Sequence, residues 1–360
     1  MKKMKLQKKK LLLLALAVCL VVSMIPTVAF AGMDEEKDVV ALVGNKEYTD
    51  FQEALNDVKD GQTITLTDDV LGGGFDTEGK DGIKFTIDLN DYKITNQTGW
   101  WDTLVISEGD VTIKNGTIEN LSDSEAKKDE DGVWCYDDAL YVKSKATLKN
   151  VKLFANGFGA TTLIAEDDSK LIMTGCIVEN VGSDQSKNMY AEALYVGKNA
   201  YVKATKCEFY SRNAERAAET SSKTLLKNCK LQAKECSILA FEGADLRINK
   251  GSYKGRVYIE AGAKVNITGG YFKDQVTALT VYGNVIIKDG KFYGEDNAVY
   301  VSGGKVTVHK GYFNAASGKA WESERNPKQL DKTFKIAKGS KVVQKNWKTG
   351  RMGTIKVKTK

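Results

Sequence analysis

The sequence has 360 residues, with 53 lysines and arginines against 47 aspartates and glutamates, two prolines and one histidine. The single histidine, His309, argues against Ser-His-Asp or Cys-His catalysis, and no proline-rich linker divides the chain into domains. Residues 319–360 carry 13 basic and three acidic side chains, whereas residues 32–318 sum to −10. An acidic body with a basic C-terminal segment makes nucleic acid a poor partner.

The first 31 residues have the composition of a targeting segment. Six lysines lie among residues 1–10, an apolar run follows from Leu11 to Ile25, and Ala29-Phe30-Ala31 forms a small-x-small cleavage site. This order is typical of a secretory signal peptide. We therefore predict a signal peptide over 1–31, a secreted or cell-surface protein, and no stable membrane span after cleavage.

Residues 32–70 are predicted to form an N-terminal cap. A short strand near Val40–Leu42 precedes Thr49 or Asp50 as N-cap of an amphipathic helix that ends by Gly61. Apolar residues follow helical spacing at Phe51, Ala54, Leu55 and Val58. Thr63–Leu66 then begins the first strand of the body. A helix here would cover the open end of a stacked sheet.

A repeated pattern predicts the architecture of residues 71–318. Val265-x-Ile267-x-x-Gly270-x-Phe272 recurs at Val285–Phe292 and Val306–Phe313, with glycines 20 and 21 residues apart. Such a period indicates the coils of a solenoid, in which like residues stack in interior ladders. The predicted apolar ladder is Ile118, Leu153, Val178, Phe209, Leu231, Tyr253, Phe272, Phe292 and Phe313. The neighbouring register contains Gly116, Val151, Cys176, Cys207, Cys229, Gly251, Gly270, Gly290 and Gly311.

These repeats, with a cap that runs from Val43 to Leu66, resemble the right-handed parallel β-helix of the pectin-lyase-like superfamily over residues 39–315. The resemblance implies an all-β fold, a right-handed single-stranded parallel β-helix with an N-terminal capping helix. It implies no single activity, because the superfamily includes lyases, hydrolases and adhesins. Its glycosidases carry clustered aspartates with a histidine, and its lyases carry calcium-binding acids with a basic residue. Neither pattern matches here, so no cofactor is predicted, with calcium as the alternative.

The cysteines favour packing over chemistry. Cys176, Cys207 and Cys229 share one register, where Cβ atoms ~4.8 Å apart are too distant for disulfides and suit a buried thiol ladder. Three thiolates could also bind a soft metal, but no histidine lies nearby. Cys135 and Cys236 lie near insertion turns, where one cross-link between loops is an open alternative.

Insertions precede the strands that begin near Leu104, Leu140 and Leu194, and insertions at one turn of a repeat often mark its functional side. We therefore expect these turns to stack on one edge and to form a glycan groove of aromatic faces and carboxylates. The candidate ligand-binding residues are Trp100, Trp101, Trp134, Tyr136, Asp137, Asp138, Tyr190 and Glu192.

Other roles for the same side chains remain open. Asp102, Asp138 and Glu192 could serve as a glycosidase acid and nucleophile, bind calcium, or simply cap strand ends. The aromatics could instead pack together beneath the loops. The functional hypothesis is glycan binding or adhesion without established catalysis; the alternatives are a polysaccharide lyase or glycoside hydrolase using the same groove, and a structural spacer.

Two further surfaces have candidate roles. Tyr141, Tyr195, Tyr258 and Tyr300 are predicted to stack on an outer sheet face, as usual for strands or as a protein-docking face. The basic segment 319–360 is predicted to cover the last coil and to hold the protein on anionic cell-wall polymers. The sequence identifies neither the glycan nor the oligomeric state.

Overall fold

The computed structural model describes residues 38–98, 101–122, 127–128, 134–135, 137–157, 159–182 and 191–360, with only the backbone at 127–128 and 134–135. The predicted signal peptide, residues 1–31, lies outside the described residues. Val39–Lys360 form one unit. Among the described residues, no helix is long and apolar enough to cross a membrane.

The unit is a parallel β-solenoid of about 10 turns, which confirms the predicted all-β solenoid. The N-terminal elements are β1 (Ala41–Val43), β2 (Lys46–Tyr48), helix α1 (Phe51–Asp57), β3 (Thr63–Leu66), β4 (Val70–Leu71), β5 (Phe75–Asp76), β6 (Lys84–Asp88), β7 (Lys93–Asn96), β8 (Leu104–Ile106) and β9 (Asp110–Asn120). The central strands are β10 (Lys127–Lys128), β11 (Trp134–Cys135), β12 (Leu140–Val142), β13 (Lys145–Ala155), β14 (Leu163–Ala165), β15 (Lys170–Thr174), β16 (Ile177–Asn180), β17 (Leu194–Val196), β18 (Tyr201–Thr205), β19 (Glu208–Ser211), β20 (Ala218–Thr220), β21 (Lys223–Ala240) and β22 (Asp245–Ile259). The C-terminal strands are β23 (Lys264–Ile267), β24 (Tyr271–Lys273), β25 (Thr277–Val281), β26 (Asn284–Ile287), β27 (Lys291–Gly294), β28 (Asn297–Val301), β29 (Lys305–Val308), β30 (Gly311–Ala315), β31 (Lys319–Ser323), β32 (Phe334–Ile336), β33 (Ser340–Val342) and β34 (Thr354–Thr359), with 3-10 turns at Leu330–Lys332 and Trp347–Thr349.

Each coil contributes to three parallel sheets, here called the first, second and third faces. The first face contains β5, β8, β12, β14, β17, β20, the ends of β21 and β22, β25, β28 and β31. The second face contains β3, β6, the starts of β9, β13, β21 and β22, and β15, β18, β23, β26, β29 and β32. The third face contains β4, β7, the ends of β9 and β13, β16, β19, the middle of β21 and β22, and β24, β27 and β30.

The interior of the third face confirms the predicted ladder. Consecutive pairings join Ile118 through Leu153 and onward to Phe313 in the predicted order. Its aromatic part is a nearly parallel stack, with Phe272 and Phe292 centroids 4.6 Å apart and those of Phe292 and Phe313 5.0 Å apart. These separations match the strand spacing of ~4.8 Å, so the register of the backbone imposes the stacking of the rings.

The N-terminal end is closed by a hairpin and the short helix. β1 pairs antiparallel with β2 and with β3. The other edge of β3 pairs in parallel with β6 and begins the second face. Asp50 caps α1 by accepting from the Glu53 amide, while Val58 is already extended, so the helix ends at Asp57, ahead of the predicted stop at Gly61. The Phe51 ring packs edge-on against Phe75, with centroids 5.1 Å apart, and ties the helix to the first coil.

The C-terminal end is closed by the basic segment. β31 and β32 pair in parallel with β28 and β29 and so extend the solenoid into residues 319–336. β34 then runs antiparallel along β30. The fully buried Trp321 stacks on Phe334 with centroids 4.5 Å apart and meets Phe313 and Trp347 edge-on. The segment therefore covers the last coil with aromatic side chains between its lysines.

Candidate functional site

The insertions lie at one corner of the coil, between the third face and the first face. Coils leave the third face at Asn96, Asn120 and Asn180, and re-enter the first face at Leu104, Leu140 and Leu194. Leu104, Leu140, Leu163 and Leu194 occupy successive rungs of one register. The strands that follow these turns therefore begin on one edge, and the four rungs span about 14 Å at ~4.8 Å per rung.

Buried asparagines hold this corner in place. Asn96, Asn120 and Asn180 are each 0% exposed. The Asn120 amide donates to the carbonyls of Trp101 and Asp138, and the Asn180 amide donates to those of Ala160 and Glu192. Each Asn Oδ1 also accepts a backbone amide two residues further on. These side chains satisfy backbone groups that the insertions remove from the sheet ladder.

Sequence reasoning missed this asparagine ladder. The sequence does contain a pattern that predicts it, an asparagine two residues after an inward residue of the third face. The three asparagines Asn96, Asn120 and Asn180 follow Ile94, Ile118 and Val178 in this way.

A row of polar side chains runs along the same corner, two residues before each first-face strand. Asp138 N–H donates to Asp102 Oδ1 at 3.2 Å, and Thr161 N–H donates to Asp138 Oδ1 at 2.7 Å. Thr161 Oγ1 then donates to Glu192 Oε2 at 3.0 Å, and Arg216, on the next rung, pairs with Glu219. Asp102, Asp138 and Glu192 therefore do line up, and each accepts a hydrogen bond from the neighbouring coil.

Burial raises the pKa values of these acids. Asp138 and Glu192 are each 2% exposed and Asp102 is partly buried. Burial raises the pKa of Asp102 to about 7. Burial and then the charge of Asp102 raise the pKa of Asp138 well above its usual range, and burial and then the charge of Glu219 do the same for Glu192.

Glu192 also has an unsatisfied oxygen. Its Oε1 is buried and has no hydrogen-bond partner among the described residues. After burial, the charge of Glu219, which pairs with Arg216, is the next cause of the raised pKa of Glu192.

One candidate aromatic is placed at the surface of this corner. Trp101 is 65% exposed, next to Asp102 at the start of the first face. Trp134 lies in β11, which pairs with β10, and its side chain is outside the described part of the chain. Trp100, Tyr136 and Tyr190 lie wholly outside the described residues.

The carboxyl groups of this corner are hydrogen-bonded within the protein. Asp137 is 6% exposed and accepts from Ser122 Oγ at 2.7 Å, so Asp137, Asp138 and Glu192 all have protein partners. Within the described ranges, no group of three or more His, Cys, Asp or Glu side chains is arranged to hold a metal ion. The corner thus presents an exposed indole at one end of a row of hydrogen-bonded acids.

The thiols are buried as expected from their shared register. Cys176, Cys207 and Cys229 are free and 0% exposed, and the hydrogen bond with Cys207 together with burial raises the pKa of Cys176 and Cys229. Cys236 is also a free, buried thiol, and its Sγ donates to the Ile238 carbonyl at 3.0 Å. The suggested cross-link to Cys135 is therefore absent at Cys236; the Cys135 side chain is not described.

The outer tyrosine row of the first face follows the predicted register. Tyr141 and Tyr195 pair in register with Ile164 between them, and Tyr258 and Tyr300 pair in register with Thr280 between them, so the four tyrosines lie in one outward row.

No protein-family model, curated protein or solved structure matches the chain.

Proposed function

We propose that this protein is an exported β-helix of the pectin-lyase-like type that binds a polysaccharide or cell-wall glycan at the insertion-bearing corner. The observation that carries the proposal is the register that stacks the turns before Leu104, Leu140 and Leu194 on one edge. A straight edge of repeated turns suits an extended polymer, because each rung offers an equivalent position to the next unit of the chain. Binding of this kind needs no cofactor.

Trp101 supplies the described contact surface of this corner. An indole face can pack on the apolar C–H side of a sugar ring, and 65% of this side chain is accessible. The acids below it act as support in this proposal, since their oxygens accept hydrogen bonds from Asp138 N–H, Thr161 N–H and Thr161 Oγ1. The aromatics of the insertions, Trp100, Trp134, Tyr136 and Tyr190, would extend the same surface.

The test is Trp101→Ala on a glycan array, followed by a measured Kd for each glycan that the wild-type protein binds. We expect a loss of about 1–3 kcal/mol in binding free energy, the value of one buried apolar side chain. Trp101→Phe should retain part of the affinity because it keeps an aromatic face.

Val276→Ala is the matched control. Val276 is 53% exposed at the same corner, in a coil that has no insertion, so its removal should leave affinity unchanged. Wild-type affinity in Trp101→Ala, with the thermal unfolding midpoint also unchanged, would refute the proposed groove.

A polysaccharide lyase or glycoside hydrolase is the second candidate, favoured by one observation. Asp102 and Asp138 are neighbours with raised pKa values, and a carboxyl held protonated near neutral pH can act as a general acid. Assays for new reducing ends and for unsaturated products, run on every bound glycan, separate this candidate from simple binding. Product formation that Asp102→Asn abolishes would establish it.

A further inference from the structure

A second surface, far along the solenoid from the insertion corner, is built from alternating tyrosines and lysines. On the outside of the third face, Tyr271, Lys291, Tyr312 and Lys356 occupy successive strands in one row. In the parallel row two residues further on, Lys273 lies beside Tyr293. Each tyrosine therefore has a lysine on the neighbouring strand, about one strand spacing of ~4.8 Å away.

The tyrosines form a continuous aromatic surface. The centroids of Tyr271 and Tyr293 are 5.1 Å apart with planes at 36°, and those of Tyr293 and Tyr312 are 5.7 Å apart at 45°. Their inward neighbours, Phe272, Phe292 and Phe313, stack in the core and fix the strand positions. The rings are thus held in place from beneath.

β34 adds one wall to this surface and makes it a groove. The groove has a volume of about 620 Å³, and its charged lining consists of Lys291, Lys310, Lys356, Lys358 and Asp289. Lys310 pairs with Asp289 at 2.8 Å. Lys291, Lys356 and Lys358 are exposed and form no ion pair with any described residue. We call the residues of this lining, with Tyr293 and Tyr312, the lysine–tyrosine groove.

Two outward lysines in earlier coils of the third face have acidic partners. Glu208 opposes Lys230 on the next strand and the two form an ion pair, and Lys93 pairs with Glu119 on the same face. From Tyr271 to Lys356 this row contains tyrosine and lysine and no acid. Lys291, Lys356 and Lys358 therefore have no acidic partner among the described residues, and an external anion could supply one.

We propose that the lysine–tyrosine groove binds an anionic glycan, a sugar polymer that carries carboxylate or phosphate groups. Tyrosine rings pack on sugar C–H faces, and ammonium groups pair with the acidic substituents, so the polymer satisfies both residue types together. This site goes beyond the proposed function, since it lies on a different part of the solenoid and requires charge on the ligand.

Nucleic acid fits the groove less well. Bases stack on free, parallel ring faces, whereas these rings are tilted and in contact with one another. The body of the protein, residues 32–318, carries a net charge of −10 and would repel any long polyanion outside the groove, so the ligand should contact the protein over a short length.

The experiment measures binding of fluorescent polygalacturonate, a glycerol-phosphate polymer, neutral dextran and oligo-dT to the full chain. We expect at least one of the two anionic polymers to bind in a salt-sensitive manner and dextran to bind weakly at this site. Binding of polygalacturonate would identify the acidic group as carboxylate, and binding of the glycerol-phosphate polymer would identify it as phosphate. Tighter binding of oligo-dT than of both polymers would overturn the proposal.

The variants locate the site. Lys291→Gln with Lys356→Gln should weaken binding about tenfold, as expected for the loss of two charge contacts. The control is Lys149→Gln with Lys152→Gln, which removes the same charge from exposed residues of β13; Lys152 belongs to the same outward row. Tyr293→Phe should bind as wild type and Tyr293→Ala more weakly.

Two outcomes would refute the site. Either the Lys291/Lys356 variant binds as wild type, or the control variant loses as much affinity, which would show that only net charge matters. Trp101→Ala should leave binding at this groove unchanged, so failure of the corner and failure of the groove are distinguishable.

Discussion

At the residue scale, burial shifts the carboxyl groups of the corner toward their protonated form. An ionised carboxylate in a buried position costs free energy, and the group avoids that cost by keeping its proton. The Asp102 and Asp138 oxygens each accept an amide from the next coil, while their raised pKa values reflect burial first. These groups link adjacent coils, and their protonation links coil stability to pH.

Asp102 therefore predicts a direction for the pH dependence of stability. Its pKa is about 7 in the folded protein against the ordinary 3.8, so between pH 4 and 7 the folded state holds a proton that the unfolded state has released. Stability must fall as pH rises through that window and level off above it. The difference between these two pKa values limits the loss of folding stability from Asp102 to at most ~4 kcal/mol.

Asp102→Asn tests this expectation because the amide keeps the acceptor oxygen but cannot ionise. We expect equal unfolding midpoints for wild type and variant at pH 4, and a higher midpoint for the variant at pH 8, in scanning calorimetry. Asp138 and Glu192 remain, so part of the wild-type slope should persist. Asp81→Asn, at an exposed carboxylate, is the control; parallel curves for wild type and Asp102→Asn would rule the account out.

At the element scale, the third face is organised by one aromatic stack. Phe292 is 0% exposed and lies between Phe272 and Phe313, with nearly parallel rings on both sides. Because each coil contacts only its neighbours, a gap in this stack weakens two interfaces at once.

Phe292→Ala should therefore destabilise the coils around β27 by about 3–5 kcal/mol. Hydrogen exchange is the suitable measurement, since local opening of β24, β27 and β30 can be followed separately from the N-terminal coils. Ile286→Ala, at a 42% exposed position of the same coil, should change exchange little. Equal exchange in the two variants would show that the ring stack contributes no more than the exposed side chain.

At the scale of the whole molecule, both ends of the solenoid are closed by antiparallel strands. β1 runs against β3 at the N-terminal end, and β34 runs against β30 near the C-terminal end. Open ends of stacked sheets would otherwise pair with other chains. The basic segment thus has a covering role, through Trp321, Phe334 and Trp347, as well as its charge.

Truncation after Lys338 should accordingly do more than remove charge. It deletes β33, β34 and Trp347, so we expect faster hydrogen exchange in β28–β32 and concentration-dependent association in light scattering, with the N-terminal coils still protected. Replacing Lys341 and Lys345 by Gln, which lowers the charge but keeps the strands, is the control. A truncated protein that stays monomeric with unchanged exchange would contradict the covering role.

The sequence by itself determined the solenoid, because an apolar side chain recurs at each rung and the spacing between these residues can be read without a structure. Phe272, Phe292 and Phe313 were placed correctly for that reason, as were Cys176, Cys207 and Cys229. Insertions before Leu140 and Leu194 were located for the same reason, since they interrupt a regular interval.

The tertiary structure alone decided which polar groups are buried and which surfaces come together. Asp138 and Glu192 look like groove carboxylates in the sequence, yet the depth of the corner encloses them and gives them partners from the next coil. The lysine–tyrosine groove joins Lys291 to Lys356 through a strand that returns antiparallel after a long connection. No local period encodes that return, because it is set by the need to cover the last coil.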